Sequence, residues 1–285
     1  MTKEATDVSI VTANYNNGPF LGDFMQSVLQ SNMMPRQLIL IDDGSTDNSL
    51  EILEKFKSYE WLKIISLPKN VGFANALNAG ISQVQTQYLL RIDPDDKLHP
   101  ERINSQYTYL LQHKEIDVIG SNANYFNSHD NSSITQTNFP ISQEEIEARY
   151  HKGEHGLLHG TVMGKSHIFK QHKYRQNNVP AEDYDIFARM LASGAKFMNL
   201  KKALTDVRIH MASISNNIKI DTVKKTFHIR DQVFGTKTSS LEVLRYYYHI
   251  SLYRKYLFQK EPITKNIQLV MSALIYPEKV LRRLF

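Results

Sequence analysis

In Tyr88-Leu89-Leu90-Arg91-Ile92-Asp93-Pro94-Asp95-Asp96 a short apolar run leads directly into three carboxylates within four residues. Carboxylate oxygens are hard ligands suited to Mg²⁺ or Mn²⁺, and those ions usually arrive with phosphates rather than in an all-protein cage. Alone, Asp-Pro-Asp-Asp would read as a polar turn leading into a helix. The chain holds two more polar segments of the same kind, Asn14-Tyr15-Asn16-Asn17 and Asp42-Asp43-Gly44-Ser45, each straight after an apolar run. The chemistry implied is the handling of a charged, phosphate-bearing ligand.

The elements that must position these segments are legible as alternating strands and helices. Val8 to Thr12 and Gln37 to Ile41 are β-branched or apolar runs of strand length, as is Lys63 to Leu67, and the run before the acidic cluster makes a fourth. Between them lie helical patterns, with Phe20, Phe24 and Val28 on one face and Leu50, Leu53 and Phe56 on another. The order βαβαβαβ predicts a parallel sheet covered by helices. Ligands bind outside the carboxyl ends of such strands, where all three polar segments fall, so they should converge on one crevice. Residues 121–138 read as a loop or hairpin. A helix is expected after Pro180, with Glu182 and Asp183 in its first turn, Ile186, Phe187, Met190 and Leu191 on its apolar face, and Gly194 ending it.

The 285 residues are 41% hydrophobic and 22% charged, an ordinary balance for one large domain or a domain with an appendage. With no cysteine, disulfides, thiolate metal sites and cysteine nucleophiles are excluded. The polar opening leaves no room for a signal peptide, and the longest apolar stretch, Ile267 to Tyr276, is far short of a membrane span. A cytoplasmic protein is expected. Residues 216–285 hold 13 Lys and Arg against 5 Asp and Glu, whereas the remainder holds 21 against 24. With the charge confined to the tail there is no basic groove, and nucleic-acid binding is not expected.

Taken in order, these segments resemble a family 2 glycosyltransferase of the GT-A fold over about residues 7–215. Val11-Thr12-Ala13-Asn14-Tyr15-Asn16 is similar to the family's opening strand and loop, and Ile41-Asp42-Asp43-Gly44-Ser45-Thr46-Asp47 to its most recognisable turn. The stretch from Asn70 through Gly72, Asn75 and Asn78 to Gly80 resembles its Asn-x-Gly-x-x-x-Ala-x-Asn segment, Asp93-Pro94-Asp95-Asp96 its DxD site, and Glu182-Asp183-Tyr184 its late acidic pair. Five matches in order are specific where one would be weak.

The resemblance implies an α/β fold, a Rossmann-like mostly parallel sheet flanked by helices, with residues 1–120 as the nucleotide-sugar half and 121–215 as the acceptor half. Residues 216–285 would form a helical, basic extension. It implies transfer of a sugar from a nucleotide-sugar, with a divalent cation, Mn²⁺ or Mg²⁺, stabilising the departing diphosphate. Asp95 is then the principal ligand, with Asp93 and Asp96 contacting ribose, metal or bound water. Ala13, Asn14 and Tyr15 would lie at the donor, Tyr15 beside the base and Asp43 accepting from it, which suits uracil and a UDP-linked donor. The segment carrying Asn70, Gly72, Asn75 and Asn78 would approach the donor through free backbone N–H groups at the opening of its helix. In an inverting displacement one carboxylate on the far side of the sugar takes the acceptor proton. Asp183 matches that base, with Glu182 as the alternative. Arg208-Ile209-His210 resembles the family's late Arg-x-His, placing His210 at metal or diphosphate, and His159 falls on the acceptor side. The Gln-x-x-Arg-Trp signature of processive synthases is absent, which argues for adding one or a few sugars.

Rival readings are weaker. Gly160 to Ser166 resembles a P-loop but has three residues between its glycines where four are needed, which leaves Lys165 as a surface or acceptor-site residue. His151-Lys152-Gly153-Glu154-His155 fits a zinc pattern, yet Gly153 weakens the helix that would have to carry it. A sugar-phosphate nucleotidyltransferase would show a glycine-rich loop after the first strand, and Asn14-Tyr15-Asn16-Asn17 is not one. A degenerate protein that binds nucleotide-sugar or glycan without turnover is the non-enzymatic alternative. The tail interleaves aromatic and aliphatic residues with Lys and Arg, which suits peripheral contact with an anionic membrane beside a glycan or lipid-linked acceptor, in cell-surface polysaccharide synthesis.

Overall fold

The computed structural model describes residues 6–209, 219–259 and 261–277. The chain divides into two compact units, Met1–His210 and Met211–Phe285.

The first unit begins with β1 (Val8–Asn14), α1 (Gly18–Leu29), β2 (Gln37–Asp42), α2 (Ser49–Glu54), β3 (Leu62–Ser66), α3 (Phe73–Ser82) and β4 (Tyr88–Arg91). β1 pairs in parallel with β2 and β4, and β2 with β3, as the alternating pattern requires. Every residue of β1 is buried, which explains its unbroken apolar and small-residue composition. α3 lies close on this sheet where Ala74, Ala76 and Gly80 are among its buried positions. A Cβ added at Gly80 would come within 2.8 Å of Val11 Cγ1.

The chain continues through β5 (Lys97–Leu98), α4 (Arg102–Gln112), β6 (Val118–Asn127), β7 (Ser133–Gln136), α5 (Gln143–Tyr150), β8 (Met163–Lys165), α6 (Ser166–His172), α7 (Glu182–Ala192) and β9 (Phe197–Ile209). Among the described residues the strands form one nine-stranded sheet, ordered β3-β2-β1-β4-β8-β6-β9-β5 with β7 on β6. The second half mixes directions: β8 is antiparallel to β4 and β6, whereas β6 and β9 run parallel. The segment from 121 on is the second half of a long strand and, with β7, forms the hairpin that is one of its two readings; the loop reading does not hold. The side chain of Asn122 fills the register shift between β6 and β9, donating to Lys201 O and accepting from Thr137 Oγ1 and Phe139 N. α7 has the expected limits and buries Ile186, Phe187, Met190 and Leu191.

The core beneath the strand ends contains a guanidinium. Arg102 is fully buried and donates to Gly160 O (2.8 Å), Thr205 Oγ1 (2.9 Å), Arg91 O (2.8 Å), Val162 O (3.4 Å) and Gln106 Oε1 (3.2 Å). One side chain thus ties β4, the turn at His159–Thr161, α4 and β9 together.

The second unit consists of α8 (Ile220–Phe234), α9 (Ser240–Phe258) and α10 (Pro262–Ile275). Ser239 caps α9 by accepting from Glu242 N, and Glu261 caps α10 with Pro262 at its first position. α9 and α10 form an antiparallel hairpin, joined by His249 Nδ1 to Ser272 Oγ (2.9 Å) and by Arg245 Nη2 donating to Ile275 O (3.1 Å). Among the described residues no helix is long and apolar enough to cross a membrane.

Candidate active site

The loop after β1 and the turn after β2 are stitched into one piece. Asn14, fully buried, donates to Asp42 Oδ1 (2.7 Å) and Ser45 Oγ (3.1 Å). Asn16 turns the chain at φ 57° and accepts from Thr46 N (2.8 Å) and Asp47 N (3.3 Å), while Asp47 Oδ2 accepts from Gly18 N (2.9 Å). Ala13 is buried beside them, and Tyr15 stands 46% exposed.

Asp43 is nearly inaccessible and accepts from Val71 N (2.7 Å) and Gly72 N (3.0 Å), tying this turn to the entrance of α3. Here one expectation is corrected. The N–H groups at the start of α3 are not free: Ala74 N and Asn75 N donate to Gln176 Oε1 at 3.0 and 3.3 Å. A helix start leaves orphan donors, and a distant glutamine satisfies two of them here. Gly72 is required at φ 93° because the Gln176 amide occupies the space of a Cβ. Asn78 is a brace, donating to Tyr174 O (2.8 Å) and accepting from Tyr174 N (2.9 Å). Asn75 donates to Val71 O and Asn70 accepts from Gly72 N, so both amides work within their own loop.

At the end of β4, the buried Arg91 and the half-buried Asp93 form a bidentate pair, both contacts 2.5 Å, with the guanidinium 5.4 Å over the Phe73 ring. Asp96 Oδ1 accepts from Arg208 N (2.9 Å) and Asp95 O from Arg208 Nε (2.8 Å). Arg208 is itself held by Asp23 (2.8 Å) and by the rings of Phe20 and Phe126. Gly160 closes the cluster: a Cβ there would lie 3.3 Å from Asp96 Oδ2 and 3.4 Å from Asp93 Oδ2. Burial, reinforced by the charges of Asp95 and Asp93, pushes the Asp96 carboxyl well above the usual range.

Among the described residues no group of three or more histidines and carboxylates is arranged to hold a metal ion, and His210 lies outside those residues. Asp93 is engaged by Arg91 and Asp96 by the Arg208 amide, so the three carboxylates do not close as a set. Their chemistry nevertheless suits a hard cation, because carboxylate oxygens are hard donors and positive charge would offset the burial and neighbouring charge that raise Asp96.

The late acidic pair divides by environment. Glu182 is 8% exposed, Oε2 has no hydrogen-bond partner among the described residues, and burial together with the Asp183 charge pushes it up to about 8. Asp183 is more open, with its side chain 24% exposed and Oδ2 3.6 Å from His155 Nδ1. His155 comes from the rejected zinc pattern: α5 ends at Tyr150, and Gly153 at φ 73° turns the chain before Glu154 and His155, so the two histidines share no helix face. His159 is enclosed rather than open to an acceptor. Its Nε2 meets the Tyr174 hydroxyl at 2.7 Å, the Phe73 and Phe187 rings stand edge-on to it, and burial holds it neutral, well below its ordinary range. Lys165 pairs with Asp117 on β8 opposite Tyr88, at the end of β4 away from the carboxylates, so it is not an acceptor-site residue.

A Glu held at about 8 is protonated in the fold and ionised in the unfolded chain between about 4.5 and 8, so stability falls as pH rises through that window. Glu182→Gln should flatten this dependence in thermal unfolding, and an unchanged slope would show that Glu182 is already ionised.

Contacts link Asn14 through Asp43 and Gly72 to the start of α3, Asn78 of α3 through Tyr174 to His159, and Phe73 through Arg91 to Asp93. An α/β sheet with polar turns at the carboxyl ends of its strands and a carboxylate cluster between its halves is the arrangement of the GT-A glycosyltransferase fold. The chain belongs to glycosyl transferase family 2, whose sequence model matches residues 9–173. It is 25% identical over 80% of its length, and 85% of the relative's, to the Escherichia coli UDP-Gal:alpha-D-GlcNAc-diphosphoundecaprenol beta-1,3-galactosyltransferase. Staphylococcus aureus TarS in complex with UDP-GlcNAc superposes with a TM-score of 0.67 at 17% identity, covering 96% of this chain and 83% of that one. The mannosyltransferase PcManGT of Pyrobaculum calidifontis, in complex with GDP-Man and Mn²⁺, gives 0.59 at 11% identity, covering 98% and 81%.

Proposed function

We propose that this protein transfers one sugar from a UDP-linked donor to the hydroxyl of a glycan or lipid-linked acceptor with inversion, in polysaccharide or lipid-linked glycan synthesis. The observation that carries it is the division of the acidic pair. Glu182 keeps its proton at neutral pH, whereas Asp183 is open and beside His155. In this reading Asp183 takes the acceptor hydroxyl proton as that oxygen forms its bond to the anomeric carbon. The bond from carbon to diphosphate breaks on the opposite face, and the electron pair leaves with the nucleotide. His155 Nδ1, 3.6 Å from Asp183 Oδ2, bears on the orientation of Asp183.

Tyr15 would meet the nucleoside end with the exposed ring surface that stacking on a base needs, while the buried Asn14 and Asp43 brace the two loops behind it. Asp95 would be the principal holder of Mn²⁺ or Mg²⁺, with Asp93 and Asp96 beside it, and that ion would supply Lewis-acid stabilisation of the departing diphosphate. The donor complexes of the structural neighbours support a nucleotide-sugar, and the lipid-diphosphate acceptor named for the E. coli relative supports a membrane-borne one. The domain limits follow the same reading: residues 1–215 catalyse and residues 216–285 bring the enzyme to the membrane that holds its acceptor.

Calorimetry with UDP, GDP and dTDP, with and without Mn²⁺, tests it on the wild type and Asp95→Asn. Binding of UDP that weakens about ten-fold or more without metal or with Asp95→Asn supports the assignment. Preference for another nucleotide would replace the donor, and no binding of any would leave a protein that does not use nucleotide-sugars.

A further inference from the structure

α10 is built inside out. Its inward positions against α9 are Lys265, Gln268, Leu269, Ser272 and Ile275, and the contacts made there are polar or cation–aromatic. Ser272 is fully buried on His249, and the Lys265 ammonium lies 5.1 Å over the Tyr256 ring. Most of the large apolar residues face the other way. Ile263, Ile267, Val270, Met271 and Leu274, spaced for one helical face, are 48–78% exposed. A helix in water normally buries the apolar face and exposes the polar one, so this arrangement needs an occupant.

We infer that this face of α10 inserts into the surface of an anionic lipid bilayer. The occupant is chosen by charge. Residues 216–285 carry 13 Lys and Arg against 5 Asp and Glu, and of the acidic residues Glu242 is held by Arg230 while Glu261 caps α10. Lys255 and Arg245, both exposed, flank the hairpin, and Lys279, Arg282 and Arg283 follow it in sequence. An apolar stripe on a basic segment binds an interface by burying side chains among acyl chains while the cations meet anionic headgroups. A second copy of the chain would bring the same excess of positive charge against itself. The helix is 14 residues long, so it lies in the interface and does not cross it.

The inference rests on the proposed membrane-borne acceptor only for its purpose, because the binding can be measured with neither donor nor acceptor present. The full chain is sedimented with vesicles of phosphatidylglycerol and phosphatidylcholine in equal parts, and with phosphatidylcholine alone. The wild type should pellet with the first and much less with the second. Ile267→Ser with Leu274→Ser should weaken partitioning about ten-fold or more, and Lys255→Gln with Arg282→Gln and Arg283→Gln should abolish the preference for the anionic lipid. UDP binding by both variants shows that they are folded. A wild type that stays in solution with both vesicles, or a serine variant that pellets unchanged, overturns the inference. So does a wild-type dimer that the serine variant dissolves without any change in lipid binding. Vesicle binding by a protein that transfers no sugar would overturn the proposed reaction and leave this surface standing.

Discussion

Asp183→Asn is expected to cut kcat by about 10²–10⁴-fold, the range for loss of a positioned general base, while the affinity for UDP stays within about two-fold. The substitution keeps shape and removes only the ability to take a proton. Because Asp183 stands on the first turn of α7 with its oxygen toward His155, the amide should sit without rearrangement. Glu182→Gln supplies the contrast. A carboxyl that already carries its proton loses little on becoming an amide, so turnover near neutral pH should fall by less than about ten-fold. Steady-state assays of both variants decide the matter. If Glu182→Gln is the dead enzyme and Asp183→Asn the active one, the roles are reversed, and equal modest losses would leave the pair as complements to the helix dipole.

Arg102→Met should cost about 3–5 kcal/mol of stability, the largest single effect expected anywhere in the first unit. Burial pulls this guanidinium down to about 9, against the favourable charge of Asp96, and it survives only because its donors are satisfied. Truncation leaves Gly160 O, Arg91 O and Val162 O facing an apolar side chain in a sealed interior. Arg102→Lys should recover little, since an ammonium cannot span acceptors fixed by a planar fork. Denaturant unfolding measures this directly, and a loss below about 1 kcal/mol would mean that water enters to replace the side chain.

The first half of the fold was legible because its signals are local. β1, β2 and β4 are short buried runs each followed by a polar turn, and their pairing follows from the alternation with helices. β6 was not, because Asn122, Asn124 and Asn127 carry a loop-like composition; Asn122 earns its place only through a register shift involving Lys201 and Thr137 far along the chain. The site divides in the same way. Asp43, Asp93, Asp96 and Asp183 stood out by type and spacing, while Gln176 did not, since capping a helix about 100 residues earlier leaves no mark on a neighbouring residue. Arg91 did leave one, a charge at the end of an apolar strand that its pairing with Asp93 explains. His155 was visible within a metal pattern that Gly153 ruled out, and only the fold brings it to Asp183.

On the proposed reading, the stitching of Asn16 and Gly18 to Thr46 and Asp47 would give the nucleoside end a mould that exists before any nucleotide arrives. The ordering entropy of both loops is spent when β1 and β2 come side by side in folding, and little is left to spend at binding. It also makes the two segments one mutational unit. A substitution at Asn16 releases the Thr46 and Asp47 amides, and one at Asp47 releases the start of α1. Residues about 30 positions apart therefore tolerate change jointly or not at all, and the effects of altering both fall short of their sum.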